Sequence, residues 1–311
     1  MSKDNKITSK ILSKLNTPQL IDEMINKLSL SEINSLLMEL FSHITDNTEP
    51  EDLLRNYSSN HFVKPSAIDP IDYHKLEIDI LSEAKEEGVK PVILSPLALL
   101  GCCSSIATVN QNKIISALRG TEILSDPTNM LALYLSDGLK NGTIHRTDNE
   151  IHICTTHRLT RVQAQYYPGQ VPHFGLFCMV SSGKDTGSYN FERKAIKKHM
   201  GLYKTFLETK FKGKLLLEIQ HRAGYKDSNG FFERISDYIH EEFKDTQVVV
   251  TDKDLMNSYY QGVNIKIFLV QGEQNLEIGD AGFVDWTQKL LSSKKERMFI
   301  SAMALDRLLS C

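Results

Sequence analysis

Two arginines, Arg158 and Arg161, are the first candidates for chemistry in this sequence. They stand at the end of a predicted strand, in the stretch THRLTRVQ, and a polar loop leads to a second predicted strand that begins near Phe174. This order predicts a β-hairpin with arginines at its open end. Because a planar guanidinium can bind a phosphate through two parallel hydrogen bonds, the hairpin is suited to clamping a phosphate. Ion pairing at the protein surface is the alternative interpretation.

A third arginine, Arg307, lies in the apolar stretch ISAMALDRLL near the end of the sequence. We predict a helix over residues 298–310, and the apolar residues around Arg307 predict that this helix is buried. A buried guanidinium is costly unless an anionic group meets it. The sequence therefore predicts an anionic partner or ligand for Arg307.

The composition of the chain is that of a soluble globular protein. It has 311 residues, of which 41% are hydrophobic and 24% are charged, and its formal net charge is −3. A slightly acidic chain has no general attraction for nucleic acid phosphates. The first residues lack the pattern of a signal peptide, and the most apolar segment, PVILSPLALLGCC, is too short and too broken to span a bilayer. We expect a cytoplasmic protein with no membrane span.

Several familiar site motifs are absent from the sequence. The five cysteines form no CxxC pair and the ten histidines form no HExxH helix face, so we predict reduced thiols and assign no metal ligand. Gly183 and Lys184 lack the upstream glycine and the following hydroxyl of a P-loop. We interpret them as a strand-to-helix turn.

The N-terminal part of the chain has the pattern of helices. Apolar residues repeat at helical spacing from Thr17 to about Arg55, and Ser29 with Glu32 forms a predicted capping box. We divide the chain into a helical N-terminal region, residues 1–65, and a main body, residues 66–311. Two prolines in residues 64–74 indicate a connector between them.

The main body has the pattern of an α+β fold. Strands are predicted at residues 149–156, 174–182, 214–220, 246–251 and 263–271, and helices at residues 75–90, 126–140, 190–211, 229–243 and 298–310. Short loops join several of these strands, and the helices come at irregular intervals. We therefore predict a mostly antiparallel sheet flanked by helices.

The two arginine segments resemble motifs of the class II aminoacyl-tRNA synthetases. The hairpin resembles motif 2, with Arg161 in the place of the arginine that holds the ATP α-phosphate, Gln163 in the place of a glutamate, and Phe174 on the return strand. ISAMALDRLL resembles motif 3, with Arg307 in the place of the arginine near the γ-phosphate. The resemblance implies ATP with Mg²⁺ as cofactors, ATP contacts from these four residues, and catalytic roles for Arg161 and Arg307.

Three further segments resemble histidyl-tRNA synthetase. SYYQGVNIKIF matches its histidine-binding segment at Tyr259, Tyr260 and Gly262, and LSDPTNMLAL resembles the segment that holds the substrate amino group, here with Asp126 and Thr128. The glycine-rich segment EIGDAGFVDW matches at Gly279, Gly282 and Asp285. The resemblance implies that the first five of these residues bind the substrate, and it runs from about residue 75 to the end of the sequence.

The sequence departs from this family at specific positions. Leu255 replaces the arginine that begins the histidine-binding segment, and Leu176 and Val180 replace a glutamine and a glutamate on the return strand. These changes remove polar groups that recognise histidine and ATP. The sequence also ends within two residues of the predicted motif 3 helix, so we expect no anticodon-binding domain.

Three functions are compatible with these residues. The first is an ATP-dependent adenylate-forming ligase that passes an amino acid or related carboxylate to a non-tRNA acceptor, or to a tRNA recognised at its acceptor end. The second is a regulatory or ligand-sensing subunit, and the third is an interaction protein whose Arg161 and Arg307 pair with acids such as Asp306 or Glu296. We expect a homodimer through KPVILSPLALLGCC, with Arg161 and Arg307 facing one pocket.

Overall fold

A long sheet organises the main body of the protein. The structure is a computed structural model that describes residues 6–162, 172–251 and 258–310. The helices are α1 (Lys6–Lys14), α2 (Leu20–Lys27), α3 (Leu30–Asp46), α4 (Pro50–Ser59), α5 (Pro70–Glu86), α6 (Cys102–Ile106), α7 (Pro127–Asn141), α8 (Asn190–Phe211), α9 (Ser228–Glu242), α10 (Trp286–Leu290) and α11 (Leu305–Leu308). The strands are β1 (Lys90–Pro91), β2 (Leu97–Leu99), β3 (Thr121–Ile123), β4 (Glu150–Thr160), β5 (His173–Lys184), β6 (Lys214–His221), β7 (Gln247–Thr251), β8 (Gln261–Gln271), β9 (Gln274–Val284) and β10 (Glu296–Ala304).

Eight of these strands form one mostly antiparallel sheet. Their order is β1-β4-β5-β10-β9-β8-β6-β7, while β2 and β3 form a separate two-stranded sheet. The edge pairs β1–β4 and β6–β7 are parallel, and the five pairs between them are antiparallel. The fold class predicted from the sequence, an α+β fold with a mostly antiparallel sheet, is confirmed.

Alternating side chains give the eight-stranded sheet two covered faces. On β5, Phe177 and Met179 point to the face that α5, α8 and α9 cover, which we call the back face. Cys178 and Val180 point to the opposite face, where α7 packs, which we call the front face. Since successive side chains of a strand point to opposite faces, the same alternation assigns residues of the other strands to one face or the other.

The structure corrects two sequence-based boundaries. Residues 298–304, which we predicted as the first part of a helix, belong to the central strand β10, and only Leu305–Leu308 is helical. Helix α5 begins at Pro70 rather than near residue 75, because Asp69 caps it by accepting hydrogen bonds from the backbone N–H groups of Ile71 and Asp72.

The N-terminal region is helical, as predicted, and packs loosely. The capping box is present: the Ser29 hydroxyl accepts from the Glu32 backbone N–H at 3.3 Å, and the Glu32 carboxylate accepts from the Ser29 N–H at 2.7 Å. Within the described residues, none in α1 to α4 is buried. These helices therefore contribute little to the core of the main body.

Among the described residues, four cysteines are present, and all four are buried and free. This agrees with the prediction of reduced thiols, and burial raises the pKa of Cys103 to about 11, so this thiol stays protonated at neutral pH. Over the same residues, no cluster of three or more metal-ligating side chains occurs. The described helices include none with the length and apolar character needed to cross a membrane.

A buried network of polar side chains joins the sheet to α8. Ser181 on β5 hydrogen-bonds His152 at 2.6 Å and His199 at 2.8 Å, and Ser301 on β10 hydrogen-bonds the other ring nitrogen of His199 at 2.7 Å and the Tyr203 hydroxyl at 2.7 Å. Burial lowers the pKa of His152 to about 4 and holds the pKa of His199 well below its ordinary value. Both histidines are therefore neutral in the folded protein at neutral pH.

This network predicts a loss of stability in mild acid. The unfolded chain protonates His152 and His199 near their ordinary pKa of about 6.5, whereas the folded chain resists protonation, so the unfolded state binds more protons below that pH. The free energy of unfolding is expected to fall by about 1.4 kcal/mol per pH unit for each such histidine. Urea denaturation between pH 7 and pH 4.5 measures this slope.

A pair of variants separates the histidines from the carboxylates, which titrate in the same acidic range. His152→Gln is expected to reduce the pH dependence of the unfolding free energy by the contribution of one histidine, about 1.4 kcal/mol per pH unit. His43→Gln changes a histidine that is 73% exposed and is expected to leave the slope unchanged. Equal slopes in wild type and His152→Gln would contradict the assignment.

Candidate functional site

A cleft opens on the front face of the sheet, at the end where β4 stops. Its volume is about 1170 Å³. Residues from the segment 107–114, the start of α7, the end of the hairpin, and strands β6, β8 and β9 line it. They are Cys103, Ala107, Thr108, Val109, Asn110, Asn112, Lys113, Ile114, Ser125, Asp126, Arg161, Val162, Arg222, Ser258, Tyr259, Tyr260, Asn264, Lys266 and Asp280. The cleft therefore contains four of the residues that the sequence analysis assigned to a site: Asp126, Arg161, Tyr259 and Tyr260.

Asp126 is held at the N-terminus of α7 with both carboxylate oxygens engaged. One oxygen accepts from the backbone N–H of Thr128 at 3.0 Å and from its hydroxyl at 2.6 Å, and the other accepts from the Tyr259 hydroxyl at 2.6 Å. Thr128 is buried and does not line the cleft. In this structure Thr128 therefore positions Asp126, while Asp126 and Tyr259 present polar oxygens to the cleft.

A second pair of the same kind, Tyr260 and Asp280, lies beside the first. The Tyr260 hydroxyl donates to Asp280 Oδ1 at 3.0 Å. The ring of Tyr260 packs over Gly282, where any Cβ would collide with it. Burial raises the pKa of Asp280, and Lys266 opposes that shift. Gly282 therefore matters because it lets an aromatic ring lie flat on the sheet.

Arg161 reaches the cleft from the open end of the hairpin. Its Nε donates to the Ser125 carbonyl oxygen at 2.9 Å, and its guanidinium lies 5.4 Å from the centre of the Phe174 ring. The backbone N–H of Arg161 donates to the Pro172 carbonyl oxygen at 2.9 Å. Phe174 packs with the apolar residues of the front face and supports Arg161 from outside the cleft lining.

Arg158 matches the alternative interpretation, ion pairing. Its Nη2 lies 3.3 Å from Asp306 Oδ2, and its Nε donates to His173 Nδ1 at 2.9 Å. Asp306 also accepts from the Gly175 backbone N–H at 2.7 Å, which ties the start of α11 to β5. Arg158 therefore fastens the hairpin to the C-terminal helix.

The structure contradicts the predicted burial of Arg307. Its side chain is exposed, it donates to the Glu277 carbonyl oxygen at 2.6 Å, and it does not line the cleft. Strands β4 and β10 lie on either side of β5 and run in the same direction, so they stop at the same end of the sheet. Arg161 follows β4 at that end, and Arg307 follows β10. Glu277 in turn holds Lys266, a lining residue, at 2.6 Å. Arg307 is thus near one margin of the cleft and outside its lining.

The other residues singled out from the sequence lie outside the cleft lining or outside the described residues. Gly262 adopts a left-handed φ of +70° and packs against Phe231 and Tyr225 on the back face, so it serves packing rather than the cleft. Leu176 and Val180 lie in the apolar cluster of the front face. Gln163 and Leu255 lie outside the described residues. Asp285, at the start of α10, pairs with Lys289 at 2.8 Å and does not line the cleft.

The sequence analysis missed four lining residues on the sheet or directly after one of its strands: Arg222, Asn264, Lys266 and Asp280. Arg222 follows β6, is only 4% exposed, and donates from Nη2 to the Gln220 side-chain oxygen at 2.6 Å and to that of Asn264 at 3.3 Å. The available signal is the alternation in KLLLEIQHR, which places residues 218, 220 and 222 on one face while leucine and isoleucine fill the other.

Solved structures share this fold at low sequence identity. A threonyl-tRNA synthetase of Aeropyrum pernix matches 76% of the chain with 12% identity and a TM-score of 0.59, and the chain spans 58% of that protein's length. The apo histidyl-tRNA synthetase of S. aureus matches 80% of the chain, with 69% of its own length covered, 12% identity and a TM-score of 0.56. An ATP phosphoribosyltransferase regulatory subunit/histidyl-tRNA synthetase of Bacillus halodurans matches 80%, with 83% of its own length covered, at the same identity and TM-score.

No family model matches the sequence, and no curated protein matches it either. The likeness to the solved structures is therefore a likeness of fold. It confirms the fold that the motifs led us to expect, a core like that of the class II aminoacyl-tRNA synthetases.

Proposed function

We propose that the cleft binds ATP together with an amino acid or a related carboxylate and joins them as an acyl adenylate. The observation that carries this proposal is the meeting of Asp126, Arg161, Tyr259 and Tyr260 in one cleft. Its volume of about 1170 Å³ exceeds the range of about 300–1,000 Å³ that is common for a single small ligand. The space therefore suits two ligands side by side.

Asp126 and Arg161 would bind oppositely charged groups of the two ligands. The carboxylate of Asp126 suits the ammonium group of an amino acid, with the Tyr259 hydroxyl fixing its orientation. The guanidinium of Arg161 suits the ATP α-phosphate, where negative charge builds as a carboxylate oxygen attacks phosphorus and the bond to pyrophosphate breaks. This displacement balances: the adenylate forms and pyrophosphate leaves with the bond electrons.

The other ATP contacts are proposals from the family resemblance. Phe174, Gln163 and Arg307 would contribute to nucleotide binding, and Mg²⁺ would enter with the phosphate oxygens of ATP. For Arg307 this requires the side chain to leave the Glu277 carbonyl oxygen and turn toward the cleft. The acceptor of the activated carboxylate would be a non-tRNA molecule, a protein, or the acceptor end of a tRNA.

A second function, a regulatory or ligand-sensing subunit, is supported by a separate observation. Arg307 lies outside the cleft lining, and Leu176 and Val180 make the neighbouring front face apolar. One of the similar structures is described as an ATP phosphoribosyltransferase regulatory subunit/histidyl-tRNA synthetase. In this function, the cleft would bind an amino acid and transmit its occupancy to a partner protein.

The third function is an interaction protein in which Arg161 and Arg307 pair with acids such as Asp306 or Glu296. Asp306 accepts from Arg158, and Glu296 accepts from Arg146. The two acids thus serve arginines other than Arg161 and Arg307. We therefore place this function below the other two.

Pyrophosphate exchange with each of the twenty amino acids tests the proposal. Activation predicts that labelled pyrophosphate enters ATP in the presence of at least one amino acid. Absence of exchange, combined with a melting temperature raised by an amino acid, would favour the sensor. If neither ATP nor any amino acid raises the melting temperature at millimolar concentration, the cleft is not a site for these ligands.

We also propose that the protein is a cytoplasmic homodimer that pairs through the segment KPVILSPLALLGCC. Four large apolar side chains of this segment face solvent in the single chain, with Ile93 99% exposed, Leu97 38%, Leu99 62% and Leu100 39%. A contiguous exposed apolar surface is typical of a protein interface. A cytoplasmic location follows the sequence-based expectation.

Changing Leu99 to glutamate is expected to convert the dimer to a monomer, because a charge at the centre of an apolar interface is buried without a partner. Light scattering after size-exclusion chromatography measures the mass. Val249→Glu introduces the same charge on β7, which lies at the edge of the eight-stranded sheet opposite β1, and is expected to leave the dimer intact. A wild-type protein that is monomeric at micromolar concentration would refute the interface.

A further inference from the structure

Asp280 presents a carboxylate to the cleft from the surface of the sheet. It lies on β9 and shares the front face with its cross-strand neighbours, Lys266 on β8 and Ala302 on β10. The Tyr260 hydroxyl donates to Oδ1 at 3.0 Å, whereas no described residue donates a hydrogen bond to Oδ2. Asp280 therefore has one oxygen that the protein holds and one that can accept a hydrogen bond from a ligand.

The neighbouring cation, Lys266, is bound to another acid. Its Nζ lies 2.6 Å from Glu277 Oε1, and Asp280 itself forms no ion pair within the described part of the chain. Burial raises the pKa of Asp280, and an ammonium group bound beside it would favour the charged carboxylate. A cation supplied by a ligand would thus gain a contact that the protein does not provide for itself.

The cleft contains two acids of the same design. In the described lining these are Asp126 and Asp280, and each accepts from one of two adjacent tyrosines, Tyr259 and Tyr260. The two rings lie 4.7 Å apart, centre to centre. The proposed function gives Asp126 to the α-ammonium group and gives no role to Asp280. An apolar substrate side chain would cover this second carboxylate without pairing it, which is unfavourable.

We propose that Asp280 binds an ammonium group on the side chain of the substrate, so that the amino acid taken by this cleft is a diamino acid. This inference rests on the proposed function and specifies its substrate class. The α-ammonium would lie on Asp126 and the reacting carboxylate near Arg161. The side-chain ammonium would donate to Asp280 Oδ2 and to the Tyr260 hydroxyl, whose oxygen can accept while its hydrogen is donated.

The geometry of Asp280 favours an ammonium group over a guanidinium. A planar guanidinium binds a carboxylate best through both oxygens in parallel, and Tyr260 already occupies Oδ1. An ammonium is a compact charge that needs a single carboxylate oxygen and can direct its other hydrogens to neutral acceptors. The class of ligand is therefore a carboxylate that carries two amino groups.

Calorimetric titration with three matched pairs of amino acids tests this class. In each pair a methyl group replaces the side-chain ammonium at constant length: norvaline for α,γ-diaminobutyrate, norleucine for ornithine, and α-aminoheptanoate for lysine. The three lengths are needed because the side chain must span the cleft between its two acids. One diamino acid is expected to bind at least about 10-fold more tightly than its methyl analogue, the effect of a hydrogen bond to a charged group.

Two variants assign this preference to Asp280. Asp280→Asn is expected to abolish it and to keep the binding of the methyl analogue, since asparagine has the same shape and can still accept from Tyr260. Asp285→Asn changes an acid that pairs with Lys289 outside the cleft, and it is expected to keep the full preference. If Asp280→Asn weakens both members of the preferred pair equally, Asp280 does not bind the side-chain ammonium and the inference is refuted.

The remaining outcomes separate this inference from the proposed function. If ATP and a neutral amino acid bind but no diamino acid is preferred over its analogue, the role of Asp280 is refuted and the proposed function stands. If arginine or histidine binds through Asp280 in place of every diamino acid, the substrate class is wrong. If neither ATP nor any amino acid binds, both proposals fail. Should Asp280→Asn not fold, equal binding within all three pairs by the wild type would still refute the inference.

Discussion

The Arg161→Ala variant is expected to lose pyrophosphate exchange by about 100-fold or more, the effect of removing one preorganised donor from a developing charge. Arg161 is preorganised because its Nε is fixed by the Ser125 carbonyl oxygen and its guanidinium lies against the Phe174 ring. These contacts hold the charge before ATP arrives, so the site need not reorganise during the reaction. Initial rates of exchange at saturating ATP and amino acid measure the loss.

Two further variants provide controls for Arg161→Ala. Arg161→Lys keeps the charge but cannot bind an α-phosphate through a fork, so it is expected to recover only part of the rate. Arg234→Ala removes an exposed arginine of α9 and is expected to keep the wild-type rate. Exchange that continues undiminished in Arg161→Ala would remove Arg161 from the reaction and leave ligand sensing as the better function.

Strand β10 shows why residues 298–304 were wrongly predicted as helical. Its alternate residues are buried on both faces: Phe299 and Met303 pack on the back face, and Met298 and Ile300 on the front face. A central strand with both faces covered has no alternation of apolar and polar residues. Methionine, alanine and leucine also favour helices, so neither periodicity nor propensity identified the strand.

Three of the assigned residues that line the cleft stand in short segments with a sequence pattern of their own. Asp126 precedes Pro127 and caps α7, and the adjacent Tyr259 and Tyr260 stand at the entry to β8, so each can be found locally in the sequence. Their presence in the cleft was expected from the resemblance, while their roles stay predictions. The cap also fixes the Asp126 side chain, because its Oδ1 accepts hydrogen bonds from both the backbone N–H and the hydroxyl of Thr128.

Arg222 and Arg307 could not be assigned from the sequence because their settings depend on distant strands. Arg222 is buried only because β8 runs beside β6 and supplies Asn264, 42 residues further along the chain. The sequence predicted that Arg307 is buried because its neighbours are apolar, and Leu305 and Leu308 are indeed buried. The Arg307 side chain, however, points away from them and donates to the Glu277 carbonyl oxygen on β9. A one-turn helix places adjacent residues on different sides, which an apolar average over the segment conceals.

The Asp126→Asn variant is expected to weaken amino acid binding by about 10-fold to 100-fold, since hydrogen bonds to a charged group contribute about 1.5–3 kcal/mol. Asparagine keeps the shape and can still accept one hydrogen bond in the cap, so the start of α7 is expected to remain folded. What the variant lacks is the negative charge that the ammonium group requires. Calorimetric titration of the amino acid that supports exchange measures the loss, and the affinity for ATP is expected to be unchanged.

A substrate analogue sharpens this test, because the proposed role of Asp126 concerns one group of the ligand. The analogue in which hydrogen replaces the ammonium group is expected to bind wild type and Asp126→Asn equally, since neither complex contains the contact. Asp285→Asn changes an acid outside the cleft that pairs with Lys289, and it is expected to bind the amino acid like wild type. If Asp126→Asn weakens the amino acid and its analogue to the same extent, Asp126 supports the shape of the cleft through Tyr259 and the ammonium group binds elsewhere.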